Sequence, residues 1–308
     1  MLSVALALTA AAVAVAPEEK ITAAEAAAIA NDPPYKKQKL KIESLPKATG
    51  PAYPLFNGKD LNDWEAWLGY ADPSLTYTAP KVKPLGAHGK GTTFKVIQAD
   101  GGPVLFVDGK TWGSLVHKRV IGNYHLSLDF RWTGKRHAPR LDLPENNGLL
   151  YHSSGPHGAV FGTWMRSIEF EIMKGSTGMV VRVGEDASAT AEAGHDPSII
   201  YPKRRFMLGG KPMEVKTPAW NIEGAKDAEK PVGEWNKLDL YVVGDKAVHV
   251  VNGEPVMIVT RLSTVNLKNG RRTPLTRGRI QLQSEGAETM FRNIIVEPIS
   301  ELPKVVAE

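Results

Sequence analysis

Residues 55–298 form a succession of short apolar or alternating runs cut by turn signals, and no 12-residue stretch among them keeps a helical period. The runs fall at 93–97, 104–107, 124–132, 148–152, 167–173, 179–183, 237–243, 247–251, 279–283 and 291–298, and are rich in Val, Ile, Phe, Tyr and Trp. That is strand length and strand composition. Gly244-Asp245 and Asn252-Gly253 separate β-branched runs and predict a three-strand meander over 237–259. Many strands without intervening helices predict an all-β fold of two packed antiparallel sheets, not a βαβ array. The stretch 185–233 is polar and interrupted by prolines, and reads as a long surface loop insertion, placed over a binding face.

Before this region the texture differs. Residues 1–16 are an apolar run ending in Ala14-Val15-Ala16, the length of a signal-peptide core and short for a membrane span. This predicts export to the periplasm or beyond, with no membrane span after signal removal; an N-terminal anchor or an Ala-rich tail is the other reading. Residues 17–50 read as a linker, with a short helix over 21–30 stopped by Pro33-Pro34. The folded domain is then 51–300. The net charge is +5, but the basic residues are scattered and dense only from Lys36 to Lys41, so no nucleic-acid partner is expected. The absence of cysteine excludes disulfides, Cys-ligated zinc and thiol catalysis. Gly-x-Ser-x-Gly, a phosphate-binding glycine loop and HExxH are also absent. Nothing in the sequence specifies an oligomeric state.

Several segments, in order, resemble one family. They are Pro54-Leu55-Phe56-Asn57-Gly58-Lys59-Asp60-Leu61-Asn62-Asp63-Trp64, the strand Asn123 to Trp132, Asn146-Asn147-Gly148-Leu149-Leu150-Tyr151, Ser167-Ile168-Glu169-Phe170-Glu171-Ile172, Lys230 to Asn236, Gly278 to Gln283, and Phe291-Arg292-Asn293-Ile294. The set is similar to the 3-keto-disaccharide hydrolase family. The resemblance implies a concanavalin A-like jelly-roll sandwich, an exported glycoside-cleaving enzyme and, as its partner, an oligosaccharide or glycoside oxidised at carbon 3. The chain departs from the family's pattern at Glu171, where Gln is usual, at His152, where Arg often stands, and at Glu285, where His often stands. The strand 167–172 also resembles that of laminarinase-type endoglucanases, but Lys174 replaces their third acid, which argues against ordinary retaining hydrolysis.

Candidate site residues follow from strand alternation. Glu169 and Glu171 share a face, about 6.6 Å apart along the strand, while Ile168, Phe170 and Ile172 take the other. That spacing lies between the carboxylate separations of retaining and inverting glycosidases, about 5.5 and 6.5–9.5 Å. Pattern alone equally fits a solvated sheet face. His152 is expected on one face with Gly148 and Leu150, with Asn146 in register before them; it titrates near neutrality and suits proton transfer. Gln281 and Gln283 alternate with Ile280 and Leu282 and suit sugar hydroxyls. Trp132, Trp164 and Tyr151 are core residues or sugar platforms, and Arg292 is an oxyanion partner or a salt-bridge residue.

The chemistry permitted is elimination followed by hydration. A 3-ketone acidifies the proton on carbon 2. Glu169 or His152 is the candidate base, Glu171 the acid, and Arg292 or a divalent cation the enolate partner. No metal-ligand signature is present; Glu169, Glu171, His152 and His195 are the residues open to a cation. The alternative reading is a non-catalytic carbohydrate-binding, lectin-like module.

Overall fold

The computed structural model describes residues 23–199, 203–216 and 220–308. The apolar run 1–16 lies outside the described residues. Alternation builds the strands as expected. In Tyr124–Arg136, Tyr124, Leu126, Leu128, Phe130 and Trp132 are buried while the intervening His125, Ser127, Asp129 and Arg131 turn outward.

Two large antiparallel sheets stack as a jelly-roll sandwich. The smaller has seven strands in the order Asn221–Ile222, Val180–Val183, Arg166–Met173, Asn146–Ser154, Arg279–Ser284, Gly113–His117, Trp64–Leu68. The larger, twelve-stranded sheet is centred on Asn236–Val243, Tyr124–Arg136 and Ala287–Pro298. Between them lies one core, with Phe130, Phe170, Tyr151, Phe291, Leu149, Ile168 and Ile172 fully removed from solvent. Burying such side chains is worth about 1.5–3 kcal/mol each. Each run named above coincides with a strand, and the meander is present as Asn236–Val243, Lys246–Val251 and Glu254–Val265. Its second turn uses the left-handed φ of Asn252 (51°) and Gly253 (84°), as a tight hairpin turn requires.

Two expectations are corrected. Residues 185–233 are not a bare loop. They hold the strands Ala187–His195, Arg204–Phe206, Lys211–Val215 and Asn221–Ile222. Ala187, Ala189, Ala191 and Ala193 alternate inward, so the period is a strand's but the buried side chains are too small to signal it. Nor are the described residues of 17–50 a free linker. The helix Ala23–Ala30 is followed by Asp32, which accepts from Arg204 Nε and Lys211 Nζ at 2.9 Å each. Tyr35 donates to the Ala225 carbonyl at 3.0 Å, and Leu40–Ser44 pairs with the C-terminal strand Lys304–Ala307.

Candidate functional site

The outward face of the smaller sheet carries the carboxylates. Glu169 stands opposite Leu150 and Glu171 opposite Gly148. Leu150 in turn pairs with Gln281, and Gln283 pairs with Ser114. With Ile168, Phe170 and Ile172 committed to the core, both glutamates must point away from it. They do not reach solvent: Glu169 is 2% and Glu171 5% exposed. A second apolar cluster covers this face, including Trp112, Leu150, Trp164, Met179 and Val181, with Tyr77 packed against it. Trp112 and Trp164 stack at 6.3 Å.

Gly148 is the pivot of the arrangement. A Cβ there would collide with Glu169 Oε1 and come within 2.7 Å of Gln283 Oε1. The glycine therefore lets the Glu169 carboxylate lean across the neighbouring strand toward Gln283. Glu169 Oε1, Gln283 Oε1, Asn146 Oδ1, Ser114 Oγ and the indole nitrogens of Trp112 and Trp164 are buried and have no hydrogen-bond partner among the described residues. Buried polar atoms are normally satisfied, so this concentration on one face sets it apart as the candidate site.

Electrostatics single out the same place. Burial, then the Glu171 charge, then that of Glu285, push the Glu169 carboxyl well above the usual carboxylate range. Glu171 is pushed up by burial and by Glu285, against a pull from Arg140. Glu285 is raised by burial, but Arg140 and hydrogen bonds from Tyr77 and Asn146 favour its charged form. Tyr77 donates to Glu285 Oε1 at 3.1 Å, and Arg140 Nη1 stands 3.6 Å from the same oxygen. The buried cation Arg140 faces Glu285 and Glu171, which favours Glu285 as the ionised member and leaves Glu169 and Glu171 more basic than free carboxylates.

The other expected residues separate. Asn146, Gln283 and Trp164 lie with the glutamates. Gln281 faces the same side but is committed, donating to Ser153 Oγ at 2.7 Å and accepting from the Met165 amide at 3.2 Å. Tyr151 points into the core, where its hydroxyl donates to His249 Nε2 at 3.1 Å. Trp132 is likewise a core residue, donating to Glu229 at 2.7 Å. His152 leaves the Gly148–Leu150 face because the strand pairing shifts between Tyr151 and Ser154 and its own φ is +52°. It is fully buried beside Gly244, and burial lowers its pKa to about 4. Arg292 lies on the outer face of the larger sheet, across the core from Glu169. It donates to Asp129 at 3.1 Å and stacks on Trp235 at 3.9 Å. His195, in the larger sheet, bonds the Ile29 carbonyl of the helix Ala23–Ala30 at 2.9 Å. Among the described residues, no three His, Asp or Glu side chains are grouped to hold a metal ion.

Glu285, Tyr77, Arg140, Trp112 and Ser114 join the site without having been expected there. Glu285 continues the alternation Gln281, Gln283, a signal present in the sequence. Tyr77 and Arg140 arrive from loops, Tyr77 from 208 positions before Glu285, and no local pattern marks them.

The structure is thus a jelly-roll sandwich with carboxylates, amides and indoles gathered on one sheet face, and the family it matches is a carbohydrate-active one. Residues 51–297 match the model described as the 3-keto-alpha-glucoside-1,2-lyase-like domain, and the chain belongs to that family. No curated protein matches the chain. Among solved structures it is similar to a candidate glycosyl hydrolase from Parabacteroides distasonis, at 18% identity over 81% of this chain and 100% of that one, with a TM-score of 0.44. It is also similar to a Bacillus subtilis protein of unknown function with a galectin-like fold, at 11% identity over 83% and 99% with a TM-score of 0.47. A third likeness is to the carbohydrate-binding module CBM66 from Bacillus subtilis, at 11% identity over 66% and 90% with a TM-score of 0.36.

Proposed function

We propose that this protein cleaves the glycosidic bond of 3-keto-glycosides by elimination and then hydrates the product. The reading rests on one observation above the others: the buried Glu169 carboxylate, with Oε1 unpartnered, beside Glu171 and Gln283. A carboxylate in such surroundings is a stronger base than one in water.

In this scheme Glu169, ionised, removes the proton from carbon 2 of the 3-keto sugar. The C–H electron pair forms a C2–C3 double bond and the C3 oxygen takes the negative charge. When the carbonyl re-forms, the pair moves to C1–C2 and the C1–O bond breaks. Glu171, protonated, gives its proton to the leaving oxygen. Water then adds across C1–C2, hydroxyl to C1 and proton to C2. Asn146, Gln283 and the indole N–H groups of Trp112 and Trp164 bind sugar hydroxyls. His152 and Arg292 have no part in it, being remote from Glu169. The apolar run 1–16 supports action outside the cytoplasm.

The test is Glu169→Gln assayed on a 3-keto-α-glucoside. We expect turnover to fall by roughly 10²–10⁴-fold with the fold intact; unchanged turnover removes Glu169 from the reaction. Wild-type protein that binds both 3-keto and ordinary glucosides but consumes neither is a carbohydrate-binding module instead.

A further inference from the structure

Arg140 is a buried cation whose guanidinium makes no hydrogen bond to an oxygen among the described residues. It is 7% exposed, yet its Nε has no partner among the described residues. Nη2 makes only a 4.0 Å contact with Met173 Sδ. Nη1 stands 3.6 Å from Glu285 Oε1, beyond hydrogen-bond length. A guanidinium whose task was to neutralise Glu285 would take it in a fork at about 2.7–2.9 Å. Desolvating a guanidinium and leaving its donors idle costs free energy that an incoming acceptor would recover.

The backbone holds Arg140 in this position. The Arg140 amide donates to the His137 carbonyl at 2.9 Å, and the His137 amide to the Gly286 carbonyl at 2.8 Å. Gly286 is a glycine with φ +92°, and a Cβ on it would press to 2.8 Å from Arg140 Cδ. The loop and this glycine together carry the side chain over the end of the strand Arg279–Ser284, next to Glu171 and Glu285.

We infer that Arg140 is a catalytic residue, which takes the C3 oxygen of the sugar as that oxygen becomes an enolate. The inference rests on the elimination scheme above. Carbon 2 and carbon 3 are neighbours, so a base at one and a cation at the oxygen of the other must lie together. Glu171 and Glu285 are charge neighbours of both Glu169 and Arg140, which puts base and guanidinium in one cluster on the same sheet face. The donors left idle in the free protein are then matched only when charge develops on the ligand, which lowers the barrier and not merely the binding constant. It fills the role for which Arg292 was the sequence candidate.

Enolate formation can be read without bond cleavage. A 3-keto sugar with no leaving group at carbon 1, 1,5-anhydro-3-keto-glucitol, exchanges its carbon-2 hydrogen for deuterium in D₂O, followed by NMR. Wild type is expected to catalyse this exchange. Arg140→Met should slow it by about 10²–10³-fold, as loss of one oxyanion donor does, with KM for a 3-keto-α-glucoside little changed. Added guanidinium should restore part of the rate. If Arg140→Met does not fold, the double variant with Glu285→Gln removes the cation without leaving its partner unpaired, and is read by the same rescue. A folded variant that exchanges within two-fold of wild type, or that guanidinium leaves unchanged, overturns the inference while the elimination reading stands. Wild type that neither exchanges nor cleaves overturns both.

Discussion

Gly148 shows how one residue positions a carboxylate on the sheet face. Its missing side chain is the space that Glu169 occupies. Gly148→Ala should therefore displace the carboxylate and lower kcat by roughly 100-fold, the cost of about an ångström of misplacement. Circular dichroism should stay unchanged; full activity in a folded Gly148→Ala protein would mean that the Glu169 position is unimportant. Periodicity on Ser167 to Ile172 revealed both glutamates, because two-residue alternation is a local property of an extended chain. The same rule failed at His152. One left-handed residue in a bulge reverses the face, and nothing in Leu149 to Ser154 announces it.

At the scale of elements, the described segments before residue 51 and after residue 303 are part of the fold. Among the described residues Leu40–Ser44 has only Lys304–Ala307 as its sheet partner, and Leu40 is buried. Deleting residues 304–308 should lower stability by about 2 kcal/mol, since Leu40 and Ile42 lose cover; a urea midpoint equal to that of the full chain would refute this. Valine- and isoleucine-rich strands such as Asn236–Val243 were legible in the sequence because each inward residue is itself strongly apolar. Ala187–His195 was not, because alanine alternates without much hydrophobic contrast.

For the whole molecule, buried carboxyls set the pH response. Burial raises Glu223 to about 7 from its ordinary value. Its folded pKa is thus above its unfolded one, so the folded state holds more protons between them and stability falls as pH rises from about 4.5 to about 7. Glu169 and Glu171 are shifted the same way. Glu223→Gln should flatten the dependence of Tm on pH across that window, and an unchanged slope would contradict the assignment. By itself the sequence determined the strand periods, the two-sheet class, the family and the face of Glu169 and Glu171, because each is written in residues two apart or in contiguous motifs. Only the tertiary structure decided that Arg292 lies across the core, that Tyr151 points inward, and that Tyr77 and Arg140 join the carboxylates. Those outcomes depend on which strands become neighbours and where loops fold back, and the physics that selects them acts between residues far apart along the chain.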